Sequence, residues 1–426
     1  MKSLLTFLII LSLTLPAAAK DKLVIISPHW EGIRTEFTRE FKNWYKNETD
    51  AEVEVTWLDQ GGTSEDLRFI KSEFARTPNG IGVDLFYGGG IDPYLELAAK
   101  DLLEQFRVPE KILKKIPATL NGIPLYDLHY KWYGTSLAGF GILCNRKLIK
   151  KLKLQKVQDW ISLTHPAFTG WVGSGDPRHS GSVHMAYEII LQAYGWKKGW
   201  EIILQIGGNV NTFPKSAAQT IKDLSTGEAA CGFAIDTYAY SAIEEVGEEN
   251  LEFIMPAKAT VINPDSIAIL KGAPNRRAAE GFIRFSLGER AQKIWMFRAG
   301  APGGPKDFSL NKMSILPEIY KDARGKSIIR YNPFQGQKGL RYDFDKGTKR
   351  WGILNDLIGA FIIDTHSDLT TAWKSAARSK AKKGKFLAFP ISENQAMQWA
   401  EKWDNSVFRN KKINEWLAMA KKKYKH

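Results

Sequence analysis

Leu23-Val24-Ile25-Ile26-Ser27-Pro28-His29-Trp30 is a short apolar run that ends in a proline-marked loop. It reads as a buried strand, and the residues after it repeat the theme. Ile33, Phe37, Phe41, Trp44 and Tyr45 recur at helical spacing. Val53, Val55 and Trp57 alternate as in a strand. Thr63-Ser64-Glu65-Asp66 resembles a capping-box start, with Leu67, Ile70 and Phe74 as the face behind it. Val83 to Tyr87 is again a strand, and Tyr94 to Lys100 again a helix. This alternation is the pattern of a parallel sheet covered on both faces. Ligands of such sheets sit outside the carboxyl ends of the strands. Position alone therefore marks three loops: Ser27 to Trp30, Gln60 to Thr63, and Gly88-Gly89-Gly90. Glycines there let backbone N–H groups approach a ligand, and helix N-termini favour anions.

The middle of the chain repeats the pattern. Phe140 to Cys144 reads as a strand, followed by a helix from Lys147. Trp171-Val172-Gly173 is a short strand leading into Ser174 to Ser182, and Val183, Tyr187, Ile190, Leu191 and Tyr194 mark the next helix. Ser180 or Ser182 is its expected N-cap. Ala229 to Asp236 is a further strand, followed by Thr237-Tyr238-Ala239-Tyr240 and a helix. A second α/β unit implies two similar lobes, with Gly134 to Gly141 and Pro256 to Asn263 passing between them.

Composition is that of a globular chain: 426 residues, 44% hydrophobic and 25% charged. The net charge of +14 invites a nucleic-acid reading until it is located. Residues 371–426 hold fourteen Lys/Arg against four Asp/Glu, a net of +10. Residues 20–370 are left with only about +3. The body is nearly balanced, with a basic tail attached, and no nucleic-acid partner is expected.

Lys2, the apolar run Leu4 to Leu15, Pro16 and Ala17-Ala18-Ala19 form the three parts of a secretory signal peptide, cleaved near Ala19. The expected location is the periplasm. Two cysteines remain, Cys144 and Cys231, and both a disulfide and two buried thiols stay open.

Ser180-Gly181-Ser182 at a helix start is an anion cradle, in which hydroxyls, N–H groups and the helix dipole converge. His179 and His184 beside Ser180 suggest a nucleophile and base, but there is no GxSxG elbow, so an exported serine-type hydrolase ranks low. No HExxH or CxxC supports a zinc site.

At this point the chain resembles the periplasmic solute-binding proteins of ABC importers, in the two-lobed type II class that includes ferric-binding proteins and relatives for anionic organic solutes. The carrying residues are the leader, Ser27-Pro28-His29, Val83 to Gly90, Phe140 to Asn145, Asp176 to Ser182, Gly227 to Ala230, Ile235-Asp236 with Tyr238, Asn263 to Leu270, and Gly303-Gly304-Pro305. The resemblance implies two doubly wound α/β lobes joined by a two-crossing hinge that closes around a ligand. Lobe 1 is expected over 20–135 and 262–324, lobe 2 over 136–261, and a basic helical extension over 325–426. Ligand contacts fall to His29, Gly89, Gly90, Ser180, Gly181, Ser182 and Tyr238. The ligand is a small anionic solute or an iron–anion complex, delivered to an inner-membrane ABC permease by a monomer that is not an enzyme and holds no cofactor. A lobe pair that signals to a membrane sensor is a rival role. In the ferric alternative His29 and Tyr238 match two iron ligands, and Tyr240 stands one residue beyond the expected second tyrosine. The expected carboxylate position falls within Gly88 to Gly90.

Overall fold

The computed structural model describes residues 20–335 and 339–425. The leader read in residues 1–19 lies outside the described residues. The strands are β1 (Asp21–Ile26), β2 (Val53–Leu58), β3 (Leu85–Tyr87), β4 (Leu103–Glu104), β5 (Thr119–Leu120), β6 (Ile123–Pro124), β7 (Tyr133–Asn145), β8 (Val172–Gly173), β9 (Cys231–Ile235), β10 (Leu251–Ile254) and β11 (Ile262–Leu270). β5 and β6 form a separate small hairpin. The others run in the order β2-β1-β3-β11-β7-β9-β8, with β4 on β11 and β10 on β7.

β7 is the element that joins the two halves. All thirteen of its residues are buried. Its first part, from Tyr133 to Gly139, pairs with β11, and its second part, from Phe140, pairs with β9 and β10. One strand thus belongs to both lobes. A strand buried on both faces must be apolar or small throughout, as Tyr133-Gly134-Thr135-Ser136-Leu137-Ala138-Gly139-Phe140 is. β2, β1 and β3 are parallel, as the alternating pattern requires. The sheet is nevertheless mixed, because β11 enters antiparallel between β3 and β7. Cys144 and Cys231 face each other across β7 and β9 with Cα atoms 4.1 Å apart, and they are joined as a disulfide.

Two local expectations change. The helix Thr63–Arg76 has Gly62, not Thr63, as its N-cap, and no side chain caps it. A close approach explains the choice: Gly62 sits at φ 149°, and a Cβ there would lie 2.2 Å from the carbonyl oxygen of His179. Tyr238 and Tyr240 lie on the first turns of the helix Asp236–Val246 rather than in a loop.

The C-terminal region is helical over Phe344–Ile358, His366–Ala376, Lys380–Leu387, Glu393–Ala400 and Ser406–Tyr424, with a π-turn at Gly359–Ile363. Its Trp351, Leu357, Phe361, Trp373, Phe386 and Trp416 share one core with the second lobe's Tyr187, Ile190, Trp200 and Ile203. Side chains of this size contribute about 1.5–3 kcal/mol each when fully buried. Polar contacts fix the register. Arg350, 1% exposed, lies between Glu188 at 2.8 Å and Glu393 at 2.6 Å. The Trp373 indole donates to Asn209 Oδ1 at 2.6 Å. The same region also reaches the first lobe. Asp404 meets Lys71 at 3.2 Å and Lys100 at 3.1 Å, and the Tyr342 hydroxyl donates to Asp92 at 3.4 Å.

Candidate functional site

The strand-end loops of both lobes meet around a cavity of about 160 Å³. Five helices begin at residues that line it: Glu31–Thr49 behind Trp30, Thr63–Arg76, Gly181–Tyr194, Ala217–Thr226 and Asp236–Val246 behind Ile235. Each helix start presents unbonded N–H groups and about half a positive charge. Ser180 caps the third helix by accepting from Val183 N at 3.5 Å, and its hydroxyl lies 3.2 Å from that of Ser182. Ser216 caps the fourth by accepting from Ala218 N at 3.2 Å. The lysines Lys215 and Lys312 also line the cavity.

The lobes touch here. A Cβ on Gly181 would lie 3.0 Å from Thr63 of the first lobe, and one on Gly62 would lie 2.2 Å from the His179 carbonyl oxygen of the second. His179 Nδ1 bonds Glu65 of the first lobe. Larger residues at these glycines would hold the lobes apart.

Asp265 organises the floor. It lies on β11, and its Oδ2 accepts from His29 Nε2 at 3.0 Å and from the buried Lys312 ammonium, while Oδ1 accepts from Gly90 N at 3.0 Å. Burial alone would push this carboxyl up, but the Lys312 charge and the His29 hydrogen bond outweigh it and hold it well below the ordinary carboxylate range. Burial also lowers His29, against the pull of Asp265, so the imidazole is neutral and donates through Nε2. Lys312 in turn lies 5.2 Å from the Trp295 ring centroid. The buried pair is thus charge-balanced. Two polar groups on the same lining are not satisfied within the protein: His29 Nδ1, and both side-chain atoms of Asn263, a residue only 1% exposed. Buried polar atoms are rarely left without partners, so these face a ligand or solvent.

The structure brings His29, Gly89, Gly90, Ser180, Gly181, Ser182 and Tyr238 to one cavity. Burial, then the Asp265 charge, pushes the Tyr238 phenol up to about 12, so it is a hydrogen-bond donor at neutral pH. Tyr240 does not line this cavity. Two residues further along a helix it turns to the opposite side, where its ring meets Phe253 edge-on at 5.6 Å. His179 and His184 do not hydrogen-bond Ser180. They bond Glu65 and Asn355 instead. The serine therefore has no base beside it.

The comparisons with known proteins agree with this fold. Residues 83–316 match the family model described as bacterial extracellular solute-binding protein. The chain belongs to that family. The phosphoglycerate transport regulatory protein PgtC of Salmonella typhimurium is 24% identical over 332 residues, which cover 74% of this chain and 78% of that one. The periplasmic binding protein AfuA of Actinobacillus pleuropneumoniae, solved with fructose-6-phosphate bound, superposes with a TM-score of 0.63 at 20% identity, covering 84% of this chain and 98% of that one. Iron-bound HitA of Pseudomonas aeruginosa gives 0.61 at 16% identity, covering 80% and 99%. The two-lobed fold with its helical C-terminal part, and the role of substrate-binding component of an ABC importer, are those read from the sequence.

Sequence reading passed over Asn263, Asp265, Lys215, Ser216 and Lys312 as site residues. A signal was present for two of them. Asp265 stands inside the apolar run Ile262 to Leu270, and Lys312 stands among Leu310, Met313, Ile315 and Leu316. A charge in a segment that must be buried requires a partner. The pairing of these two was not legible, since they are 47 residues apart.

Proposed function

We propose that this solute-binding protein captures a small phosphorylated solute in the periplasm, as a monomer, and delivers it to an inner-membrane ABC permease. The observation that carries the reading is the convergence of five helix N-termini and Lys215 on one cavity whose lining carboxylate, Asp265, is already neutralised by Lys312. A dianionic phosphate suits N–H groups, hydroxyls and ammonium groups at once. Asn263 and the Tyr238 hydroxyl then remain to read the polar part of the solute. PgtC and AfuA, whose names and contents are phosphorylated compounds, support the same class.

Isothermal calorimetry with fructose 6-phosphate and phosphoglycerate, beside fructose and glycerate, tests it. Binding that requires the phosphate is expected. Equal affinity for the dephosphorylated compounds, or no binding to any of the four, would overturn the reading.

The ferric alternative retains His29 and Tyr238 in the cavity. It is less well supported, because Tyr240 faces Phe253 and because Asp265 is already committed to Lys312, His29 and Gly90. An iron titration without a visible phenolate band agrees with this ranking, and a band that Tyr238→Phe abolishes would reverse it.

A further inference from the structure

We propose that the C-terminal helical region carries a docking face for anionic phospholipid headgroups, separate from the ligand cleft. Residues 371–392 contain six Lys/Arg and no Asp/Glu, and residues 416–425 contain four Lys and no Asp/Glu. The fold brings these two stretches together. Lys423 Nζ donates to the carbonyls of Lys385, Phe386 and Ala388 at 3.0, 2.6 and 2.8 Å. The Tyr424 and Phe386 rings lie 6.2 Å apart, and Lys382 Nζ reaches Ser375 Oγ at 3.0 Å.

Lys423 is thus used to join the helices and Lys382 to hold Ser375, while among the described residues the Lys374, Lys380, Lys385, Lys421 and Lys422 ammonium groups make no hydrogen bond. Lys374, Lys380, Lys382, Lys385, Lys421 and Lys422 are exposed, and among the described residues none of them forms an ion pair. This contrasts with the rest of the chain, where most charge is balanced. None of these residues lines the cleft, so they cannot serve the captured solute directly.

The kind of charge selects the partner. The face is almost entirely lysine, with Arg378 as its one guanidinium, and Lys382-Lys383 and Lys421-Lys422-Lys423 stand in runs. Lysine is a mobile point charge, without the planar fork that reads one fixed carboxylate or phosphate. Met419, 45% exposed, precedes Lys421 in the helix Ser406–Tyr424. Such a face presents mobile point charges. It matches a plane of spread negative charge, where each lysine within a Debye length of about 10 Å at 0.1 M salt adds attraction.

The test is co-sedimentation of the protein, from Lys20 onward, with vesicles of phosphatidylglycerol and phosphatidylethanolamine and with vesicles of phosphatidylcholine alone. Binding to the first and not the second is expected, at least tenfold weaker on raising salt from 50 to 300 mM. The variant Lys374→Gln/Lys380→Gln/Lys421→Gln/Lys422→Gln alters only side chains without hydrogen bonds in the fold and is expected to lose at least tenfold. Unchanged thermal melting confirms that it is folded. No binding at low salt, equal binding to neutral vesicles, an undiminished variant, or retention by an acidic protein or DNA duplex with no vesicle binding would each overturn the proposal.

Discussion

The ammonium of Lys312 and the carboxylate of Asp265 form a buried ion pair in the wall of the cleft, and the neutral His29 imidazole donates to the same carboxylate oxygen at 3.0 Å. Neither charge has access to bulk water. Removing the cation leaves a carboxylate uncompensated beside the place where an anion is to bind. Lys312→Met is expected to lower stability by about 3–5 kcal/mol and to abolish binding of fructose 6-phosphate and phosphoglycerate. Melting curves and calorimetry check both parts. A variant as stable as the parent and unchanged in affinity would show that the pair has neither role.

Ser180 and Ser182 sit at the start of the helix Gly181–Tyr194 with their hydroxyls 3.2 Å apart. Hydrogen bonds to a charged group contribute about 1.5–3 kcal/mol. Ser180→Ala with Ser182→Ala is expected to weaken binding of the phosphorylated solutes by roughly ten- to a hundredfold, at about 1.4 kcal/mol per factor of ten. Loss of the Ser180 cap also removes about 1 kcal/mol of stability. An unchanged dissociation constant would take the serines out of the site.

His184 is fully buried, stacks on Trp351 with ring centroids 3.7 Å apart and bonds Asn355 Oδ1 at 2.7 Å. Burial lowers it to about 4. The unfolded chain takes up this proton near pH 6.5 and the folded chain only near pH 4. Stability contributed by the neutral ring is therefore complete above pH 6.5 and is lost as pH falls from 6.5 to 4, by about 3 kcal/mol. Denaturant titrations at stepped pH are expected to show this slope, reduced in His184→Gln. A slope unaltered by the substitution would assign the acid sensitivity elsewhere.

Asp404 ties the helical region to Lys71 and Lys100 of the first lobe, while the core of that region is shared with the second lobe. These exposed pairs are worth up to about 1 kcal/mol each. Asp404→Lys places three cations together and is expected to shift the ligand-free protein several-fold toward the open form, seen as a larger radius of gyration in small-angle scattering. Identical scattering from parent and variant would mean that the contact does not bias closure.

Much of this architecture was legible in the residues because its signals are local. Ile33, Phe37 and Phe41 can only be one face of a helix, and Leu23 to Ile26 can only be a covered strand. The Ser180 cap was legible for the same reason. The Gly62 start was not, because the reason for glycine there is a carbonyl at His179, more than a hundred residues away. The side to which Tyr240 turns depended on whether a helix begins at Asp236 or later, and boundaries shift by a residue or two in any reading of pattern. The disulfide needed the register of β7 against β9, which no spacing between Cys144 and Cys231 supplies.

The position of β11 has a consequence for the order in which the molecule can be made. This strand lies between β3 and β7 but is the last of the sheet to be synthesised. From the emergence of Tyr87 to that of Ile262 a ribosome adding 5–20 residues per second needs roughly ten to thirty seconds. Throughout that interval β3 has an open edge and the first lobe lacks its middle strand, so the amino-terminal residues cannot settle into a finished sheet. Such long-range pairing is slow to form in any case. A polypeptide bound for the far side of a membrane must stay threadable until translocation, and here the connectivity delays completion of the first lobe until more than half of the chain has been made.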